Sequence, residues 1–276
     1  MAGDTGVLKS FSVVATKECK EELAVLCFSI RRLYELPIFV LCDSETKEYI
    51  EEFSFGNMEY DLSADPEGLA VATEKVKGVN INNNFHSAAK IYLKMDCLER
   101  AVLSAGNTLF LDADIVLVKE VHEDLDDQFD LMLSPHYHPT ETLNQNQNYG
   151  VFNAGYVWAN NPSVAPIWRD IYMTRSSFYE QQGMIWFFEY LDTGVLDKTH
   201  NFGFCRFTKE WVCKTLRLKT GDSINNAKSF HFHTVPKTYV KADTGLKRGY
   251  DALYCVLFPN LPEEIKEFIS QIKGCL

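Results

Sequence analysis

The chain has 276 residues, of which 46% are hydrophobic, so it can bury a large core and is not a disordered protein. Its 38 acidic residues outnumber 27 lysines and arginines, and the net charge of -11 argues against nucleic acid or an anionic membrane surface as a partner. The N-terminus has no basic segment before an apolar run, and no apolar stretch reaches about 18 residues. We therefore expect a soluble, cytoplasmic protein without membrane insertion.

The eight cysteines include no Cys-x-x-Cys pair and no spacing to histidine that indicates a zinc site. Cys27, Cys42 and Cys97 lie among apolar residues and are predicted to be small core side chains. Cysteines used in this way indicate a reducing compartment.

The first half of the chain alternates strand and helix patterns. FSVVA (11–15) predicts a buried strand, 18–34 a helix and PIFVLC (37–42) a second strand, which is the order of a parallel α/β sheet. Further helices are predicted at 45–53, 66–77 and 84–104, and further strands at 57–62 and 109–111. Gly106 provides the expected stop for the last of these helices.

The second half continues with the same two patterns. Strands are predicted at 129–136, 150–160 and 229–233, and helices at 162–175, 177–191 and 261–274. The polar residues 137–149 predict either a lid that faces an acceptor or a mobile surface loop. Because no repeat, low-complexity tract or linker divides the sequence, we predict one α/β domain over residues 1–276.

Two aspartates follow an apolar strand in LFLDADIVL (109–117). Side chains two residues apart in an extended segment point to the same side, so Asp112 and Asp114 can present both carboxylates to one point. The carboxyl ends of strands are where open α/β sheets bind ligands, and hard oxygen ligands suit Mg²⁺ or Mn²⁺. Capping of the following turn by Asp112 is the structural alternative.

Two histidines alternate with aromatic residues in SFHFHTVPK (229–237). The imidazoles of His231 and His233 are therefore predicted to face the same way, and Lys237 follows six residues after His231. A lone histidine is commonly structural, but this pair in a chain that also has a carboxylate pair favours a site. A histidine would complete a metal shell, and Lys237 would neutralise a phosphate.

The third motif is FNAG (152–155). The amide of Asn153 can donate and accept hydrogen bonds and so bind a hydroxyl-rich ligand, and Gly155 permits close approach of the backbone. Taken alone, a turn or a β-bulge is the better explanation of this motif.

In this order, the three motifs resemble those of the glycogenin and galactosyltransferase type of retaining glycosyltransferase, family eight, which has the GT-A fold. The resemblance extends from the first strand to about Lys237. It implies a single GT-A domain, α/β with a Rossmann-like mixed sheet flanked by helices. Residues of about 8–118 would bind the nucleotide, and residues of about 119–276 would bind the sugar and the acceptor.

The resemblance also implies roles for individual residues. Asp112, Asp114 and His231 would hold Mn²⁺ (or Mg²⁺), which would bridge the diphosphate of a UDP-sugar donor. The implied donor-binding residues are Ala15, Thr16, Lys90, Asp112, Ala113, Asn153, Ala154, Gly155 and Lys237. The implied reaction moves the sugar, with retention, to a hydroxyl of a glycan or another acceptor, while the metal and Lys237 stabilise charge on the departing UDP.

The sequence departs from the family at one important triplet. Where the family has Asp-Gln-Gly near the donor sugar, this chain has Gln181-Gln182-Gly183. Glutamine cannot act as a carboxylate nucleophile or a general base, so Gln181 there requires a front-face mechanism or another carboxylate such as Asp192. The catalytic candidates are thus Gln181, Gln182 and Asp192, with a plain amphipathic helix as the structural alternative.

Two other functions are compatible with parts of the sequence. LFLDADIVL and GDSINNA (221–227) resemble two motifs of haloacid-dehalogenase-like phosphatases, in which Asp112 would be the nucleophile and Asp114 the acid/base. Against this hypothesis, the first motif lies more than a hundred residues into the chain, Asn226 replaces an acidic residue, and FNAG has no role. The third hypothesis, suggested by Gln181, is a nucleotide-sugar-binding protein without catalysis.

Overall fold

A computed structural model of the chain describes residues 6–77, 88–136, 150–176, 180–203, 224–234 and 253–274. The strands are β1 Ser10–Val14, β2 Ile38–Leu41, β3 Met58–Asp61, β4 Thr108–Leu111, β5 Ile115–Leu117, β6 Leu131–Pro135, β7 Phe152–Ala159, β8 Thr193–Val195, β9 Phe202–Gly203 and β10 Ser229–His231. The α-helices are α1 Lys20–Arg31, α2 Ser44–Glu51, α3 Pro66–Lys75, α4 Ala88–Ala105, α5 Val164–Arg175, α6 Phe187–Tyr190 and α7 Glu263–Gly274, and residues 253–257 are also helical.

Seven strands form the main sheet, in the order β3-β2-β1-β4-β7-β6-β8. All of them run in one direction except β7, which is antiparallel to both of its neighbours. Helices cover this mixed sheet, so the predicted α/β class is confirmed. The prediction of a single domain and of a boundary near residue 118 stays a prediction.

The two faces of the main sheet bury different sets of side chains. Alternate residues of a strand point to opposite faces, so β4 sends Leu109 and Leu111 to one face and Phe110 to the other. The first face packs against α1 and α7, and the second against α4 and α5. This packing places α4 against β1 and β4, with Lys90 near Thr16 and Lys94 near Asp112, which follow the carboxyl ends of these two strands.

A smaller sheet, ordered β5-β10-β9, lies beyond the carboxyl end of β4. The chain leaves the main sheet after Leu111, turns at residues 112–114 and enters the small sheet as β5. β10 pairs with β5 in antiparallel register, with His231 opposite Ile115. The aspartate triplet is therefore the connection between the two sheets.

Several predicted elements differ from those observed. The helix predicted at 177–191 is a 3₁₀ segment, Gln182–Trp186, followed by the single turn of α6, and residues 177–179 lie outside the described residues. This segment packs closely against α5: a Cβ added at Gly183 would lie 2.5 Å from the Ile171 side chain. The strand predicted at 229–233 ends at His231. The strands β5, β8 and β9 were not predicted, since two or three residues are too few for an alternation to be recognised.

The cysteines at positions 27, 42 and 97 are buried, as predicted. Burial raises the pKa of each of these thiols to about 12. In the described part of the chain, no helix has both the length and the apolar character that crossing a bilayer requires. The loop predicted at 137–149 lies outside the described residues.

A buried polar network joins the small sheet to the main sheet. The ring of His200, which is fully buried, contacts the Tyr156 hydroxyl at 2.9 Å through Nδ1 and the Asp124 carboxylate at 2.7 Å through Nε2. Lys228 pairs with the same carboxylate. The hydrogen bond to His200, against the opposing effect of burial and with help from Lys228, lowers the pKa of Asp124 to about 2.

We expect an Asp124→Asn variant to be less stable than the unchanged protein near neutral pH. Because the folded-state pKa of Asp124 is lowered, the ionised carboxylate stabilises the folded state fully above the unfolded pKa of about 3.9. This stabilisation is lost as the pH falls towards about 2. The difference in unfolding free energy, measured by urea denaturation, should therefore shrink over that interval. The control is Asp170→Asn, which alters an exposed aspartate of α5. If the difference in unfolding free energy between Asp124→Asn and the unchanged protein does not vary with pH, the ionised Asp124 carboxylate is not its cause.

Candidate active site

The aspartate triplet is held by backbone hydrogen bonds to both sheets. The amide of Asp112 donates to the Gly155 carbonyl at 2.8 Å, and the carbonyl of Asp114 accepts from the Phe232 amide at 3.0 Å. The triplet is a turn and not the extended segment that the sequence predicted. The turn nevertheless brings both carboxylates together at the carboxyl edge of β4.

Asp112, Asp114 and His231 meet at this turn. One potential ligand atom from each lies within 4.8 Å of those from the other two, and His231 Nε2 is 3.1 Å from Asp114 Oδ1. Their side chains are 26%, 21% and 20% exposed, so a ligand can reach the group. Two carboxylates and an imidazole fit a divalent cation such as Mn²⁺, and the imidazole is a better ligand for a transition metal than for Mg²⁺.

The protonation of His231 is set by opposing effects. Burial lowers its pKa, whereas the carboxylate of Asp114, and to a smaller extent that of Asp112, raises it, and the net change is upward. An imidazole that faces two carboxylates in this way favours a positive charge near Nε2. A proton or a metal cation can supply that charge.

The second histidine of the pair also contacts Asp114. His233 Nδ1 lies 3.4 Å from Asp114 Oδ2 and 2.8 Å from Glu22 Oε1. Glu22 is on α1 and is only 1% exposed. The two imidazoles thus approach the two oxygens of one carboxylate, and α1 holds the second of them.

Lys94 and Glu180 lie at the same turn, although neither was predicted from the sequence as a site residue. The Lys94 ammonium lies 2.9 Å from Asp112 Oδ1 and 3.0 Å from Glu180 Oε1, and Glu180 is 5% exposed. Burial lowers the pKa of Lys94, but the carboxylates of Asp112 and Glu180 outweigh it and raise the pKa. Two signals were available: Lys94 lies one helical turn after Lys90, and Glu180 immediately precedes Gln181.

The predicted donor contacts at the end of β1 are also near the carboxyl edge. Lys90 Nζ lies 3.5 Å from Thr16 Oγ1 and 3.5 Å from Glu18 Oε2. Ala15, the residue before Thr16, is 1% exposed. α4 therefore directs Lys90 towards the end of β1 and Lys94 towards the end of β4.

The FNAG segment forms an irregularity at the start of β7. The pairing with β6 jumps from Leu133 opposite Val157 to Ser134 opposite Asn153, so the residues between are unpaired on that side. Asn153 Oδ1 accepts from the Gly155 amide at 2.7 Å. Bulges of this kind commonly re-aim side chains beside active sites, and here the segment borders the triplet.

Gly155 is needed beside Asp112 because of space. A Cβ at this position would lie 2.3 Å from Asp112 Oδ2 and 2.9 Å from Asn153 Oδ1. Ala113, between the aspartates, is 7% exposed and packs in the core. Close approach of the backbone, which the sequence predicted for Gly155, is thus explained by the aspartate.

The remaining predicted catalytic residues lie in different places. Gln181 Oε1 lies 3.5 Å from the Ala154 amide, which donates to it, and Gln182 begins the adjoining 3₁₀ segment. Asp192 is exposed and precedes β8 at the amino edge of the sheet, so the structure does not bring it to the triplet. Its carbonyl accepts a hydrogen bond from the Asp130 amide, which precedes β6. Both residues therefore lie at the edge of the sheet opposite the triplet. Lys237 lies outside the described residues.

No protein-family model matches the chain, and no curated protein matches its sequence. The fold is similar to that of galactosyltransferase LgtC, solved in complex with donor and acceptor sugar analogues, with a TM-score of 0.55 and 15% identity over 94% of this chain and 99% of that one. The chain has the GT-A fold. An active-site variant of LgtC with glutamate in place of glutamine has also been solved (TM-score 0.54, 14% identity, 94% and 99% coverage).

Two larger proteins contain the same GT-A fold. GlyE of Streptococcus pneumoniae TIGR4, a glycosyltransferase, matches with a TM-score of 0.56 and 13% identity over 98% of this chain and 64% of that one. WbbM, a bifunctional glycosyltransferase, matches with a TM-score of 0.54 and 13% identity over 98% of this chain and 52% of that one.

We expect a Gly155→Ala variant to bind Mn²⁺ about 10- to 100-fold more weakly, because the new methyl group displaces the Asp112 carboxylate. The affinity is measured from the electron paramagnetic resonance signal of free Mn²⁺. Gly106→Ala is the matched control: its φ of 87° makes alanine unfavourable, but nothing lies within 4 Å and the site is remote. Equal Mn²⁺ affinities for the unchanged protein and Gly155→Ala would contradict the placement of the metal.

Proposed function

We propose that the protein is a metal-dependent glycosyltransferase. It moves a sugar, with retention, from a nucleotide diphosphate sugar to the hydroxyl of a glycan or another acceptor. The metal is Mn²⁺, or Mg²⁺ as the alternative, held by Asp112, Asp114 and His231. The nucleotide is UDP, which rests on the resemblance of the sequence motifs to family eight.

The observation that carries this proposal is the convergence of the two aspartates and His231 at the carboxyl edge of a GT-A sheet. Among the described residues, Lys94 contacts the carboxylates of both Asp112 and Glu180, and the third carboxylate, that of Asp114, faces the ring of His231. Like charges held this close require cations to balance them. A divalent metal that also binds a diphosphate fits this charge distribution.

The reaction breaks the bond between the anomeric carbon and the phosphate oxygen, and the electron pair leaves on the oxygen of UDP. The acceptor oxygen forms the new bond to that carbon, and its proton passes to the departing phosphate. A bound metal supplies a Lewis acid that stabilises the charge on the leaving group. Lys94 keeps the Asp112 carboxylate in place, and Asn153, Ala154 and Gly155 would border the donor sugar.

We further propose that Glu180 and Gln181, and not Gln181 and Gln182, take the place of the acidic residue and glutamine of the family motif. The buried Glu180 is next to Lys94, and Gln181 contacts the Ala154 amide. The chain thus retains a carboxylate at this place. Because Glu180 Oε1 is engaged with Lys94, we favour attack by the acceptor from the face of the departing UDP, with Glu180 positioning Lys94.

The two other hypotheses differ in their support. The phosphatase hypothesis gives no role to the histidine that meets Asp114, and the similarity to solved glycosyltransferases disfavours it. A binding protein without catalysis has the same site geometry, so turnover decides between it and the enzyme.

The test is incubation of the protein with a panel of UDP-sugars and quantification of free UDP. We expect release from one donor with Mn²⁺ and none with a chelator, because slow hydrolysis needs no acceptor. Asp114→Asn should reduce the rate at least about 100-fold while leaving the circular dichroism spectrum unchanged. The sugar released should at first have the same anomeric configuration as the donor, as observed by proton NMR.

Asp192→Asn is the matched control, since it removes a carboxylate at the other edge of the sheet and should leave the rate unchanged. Release of phosphate from a generic phosphate ester, without UDP release, would support the phosphatase hypothesis. Donor binding without release of UDP from any donor would support the binding protein.

A further inference from the structure

The residue that faces the far side of the His231 ring is Asn201. Asn201 Oδ1 lies 2.7 Å from His231 Nδ1, and His231 Nε2 points at Asp114. Nδ1 is therefore the nitrogen that turns away from the three-residue group. A hydrogen bond at this nitrogen determines which ring nitrogen keeps its proton.

Asn201 is held in place by a hydrogen bond of its backbone amide and by the contacts of the preceding residue. It is 7% exposed, and its amide donates to the hydroxyl of Ser229, a buried residue of β10, at 2.9 Å. The preceding residue, His200, is anchored by Tyr156 and Asp124. Hydrogen bonds from Asn201 to Ser229 and from His200 to Tyr156 and Asp124 thus fix the backbone from which the Asn201 side chain reaches His231.

The backbone of Asn201 is in the left-handed region, with a φ of 51°. Ser54 and Asn57 share this conformation among the non-glycine residues of the described chain, and both lie in the turn between α2 and β3, away from the site. Residues other than glycine, asparagine and aspartate seldom adopt this conformation, and it persists where the surroundings hold the backbone in place.

We propose that Asn201 is a positioning residue for the metal centre. Its amide oxygen accepts a hydrogen bond from the Nδ1–H group of His231, which keeps the proton on Nδ1 and leaves the Nε2 lone pair directed to the metal. The inference rests on the proposed function, because it assumes that the Asp112, Asp114 and His231 group binds a cation. Asn201 acts through His231 and touches neither the metal nor the donor.

Three variants and one background separate this role from a general effect on folding. Asn201→Gly keeps the left-handed backbone and removes the acceptor, and Asn201→Asp keeps an acceptor in a residue that tolerates this conformation. Asn57→Gly makes the same substitution at the other left-handed asparagine, whose side chain bonds to the Glu35 carbonyl. A His231→Ala background removes the ring through which Asn201 acts.

The readout is the dissociation constant for Mn²⁺, measured by electron paramagnetic resonance without donor or turnover. We expect Asn201→Gly to bind Mn²⁺ about 10- to 100-fold more weakly than the unchanged protein. Asn201→Asp and Asn57→Gly should each keep the affinity of the unchanged protein. In the His231→Ala background, Asn201→Gly should cause no further loss.

Three other results would overturn the inference, and they differ in what they imply for the proposed function. Mn²⁺ affinity unchanged in Asn201→Gly, while the unchanged protein binds the ion, rejects the role of Asn201 and leaves the proposed function intact. The same holds if Asn201→Gly weakens binding equally in the His231→Ala background. Failure of the unchanged protein to bind Mn²⁺ at all rejects the metal centre and, with it, the role of Asn201.

Discussion

Repulsion between Asp112 and Asp114 is the constraint around which the site is built. A turn of three residues forces the two carboxylates together where the chain passes from the main sheet to the small one. The backbone bonds of Asp112 to Gly155 and of Asp114 to Phe232 prevent the turn from opening. Like charges at this separation are tolerated only if cations or donors face them, and the surrounding side chains do so.

The two carboxylates are balanced from opposite sides. Lys94, on α4, faces Asp112, whereas His231 and His233, on and beside β10, face Asp114. Helix α4 is packed on the main sheet, and β10 belongs to the small sheet. The site therefore exists only where the two sheets meet, and the network of Tyr156, His200 and Asp124 helps to hold that junction together.

The sequence predicted the parts of this arrangement that lie within short motifs. Asp112 and Asp114 were selected because alternate residues of an extended segment point to one side, and their carboxylates do meet, although the triplet is a turn. His231 was selected as a ligand through the resemblance to family eight, and the α/β class followed from the order of the elements. Lys94 and Glu180 were missed because their partners are distant in sequence and become close only through packing of α4 and α5. The position of Asp192 at the amino edge of the sheet could not be predicted, because it depends on the pairing of β8 with β6.

The most direct test of the metal centre is the anomalous difference density of Mn²⁺ in crystals of the protein grown with Mn²⁺ and UDP. Our account predicts one strong peak between the carboxylates of Asp112 and Asp114 and Nε2 of His231, next to the diphosphate. Two results would contradict the metal centre. One is UDP bound with no peak at this position. The other is a peak at other residues, with only Lys94 and the two histidines facing the aspartates.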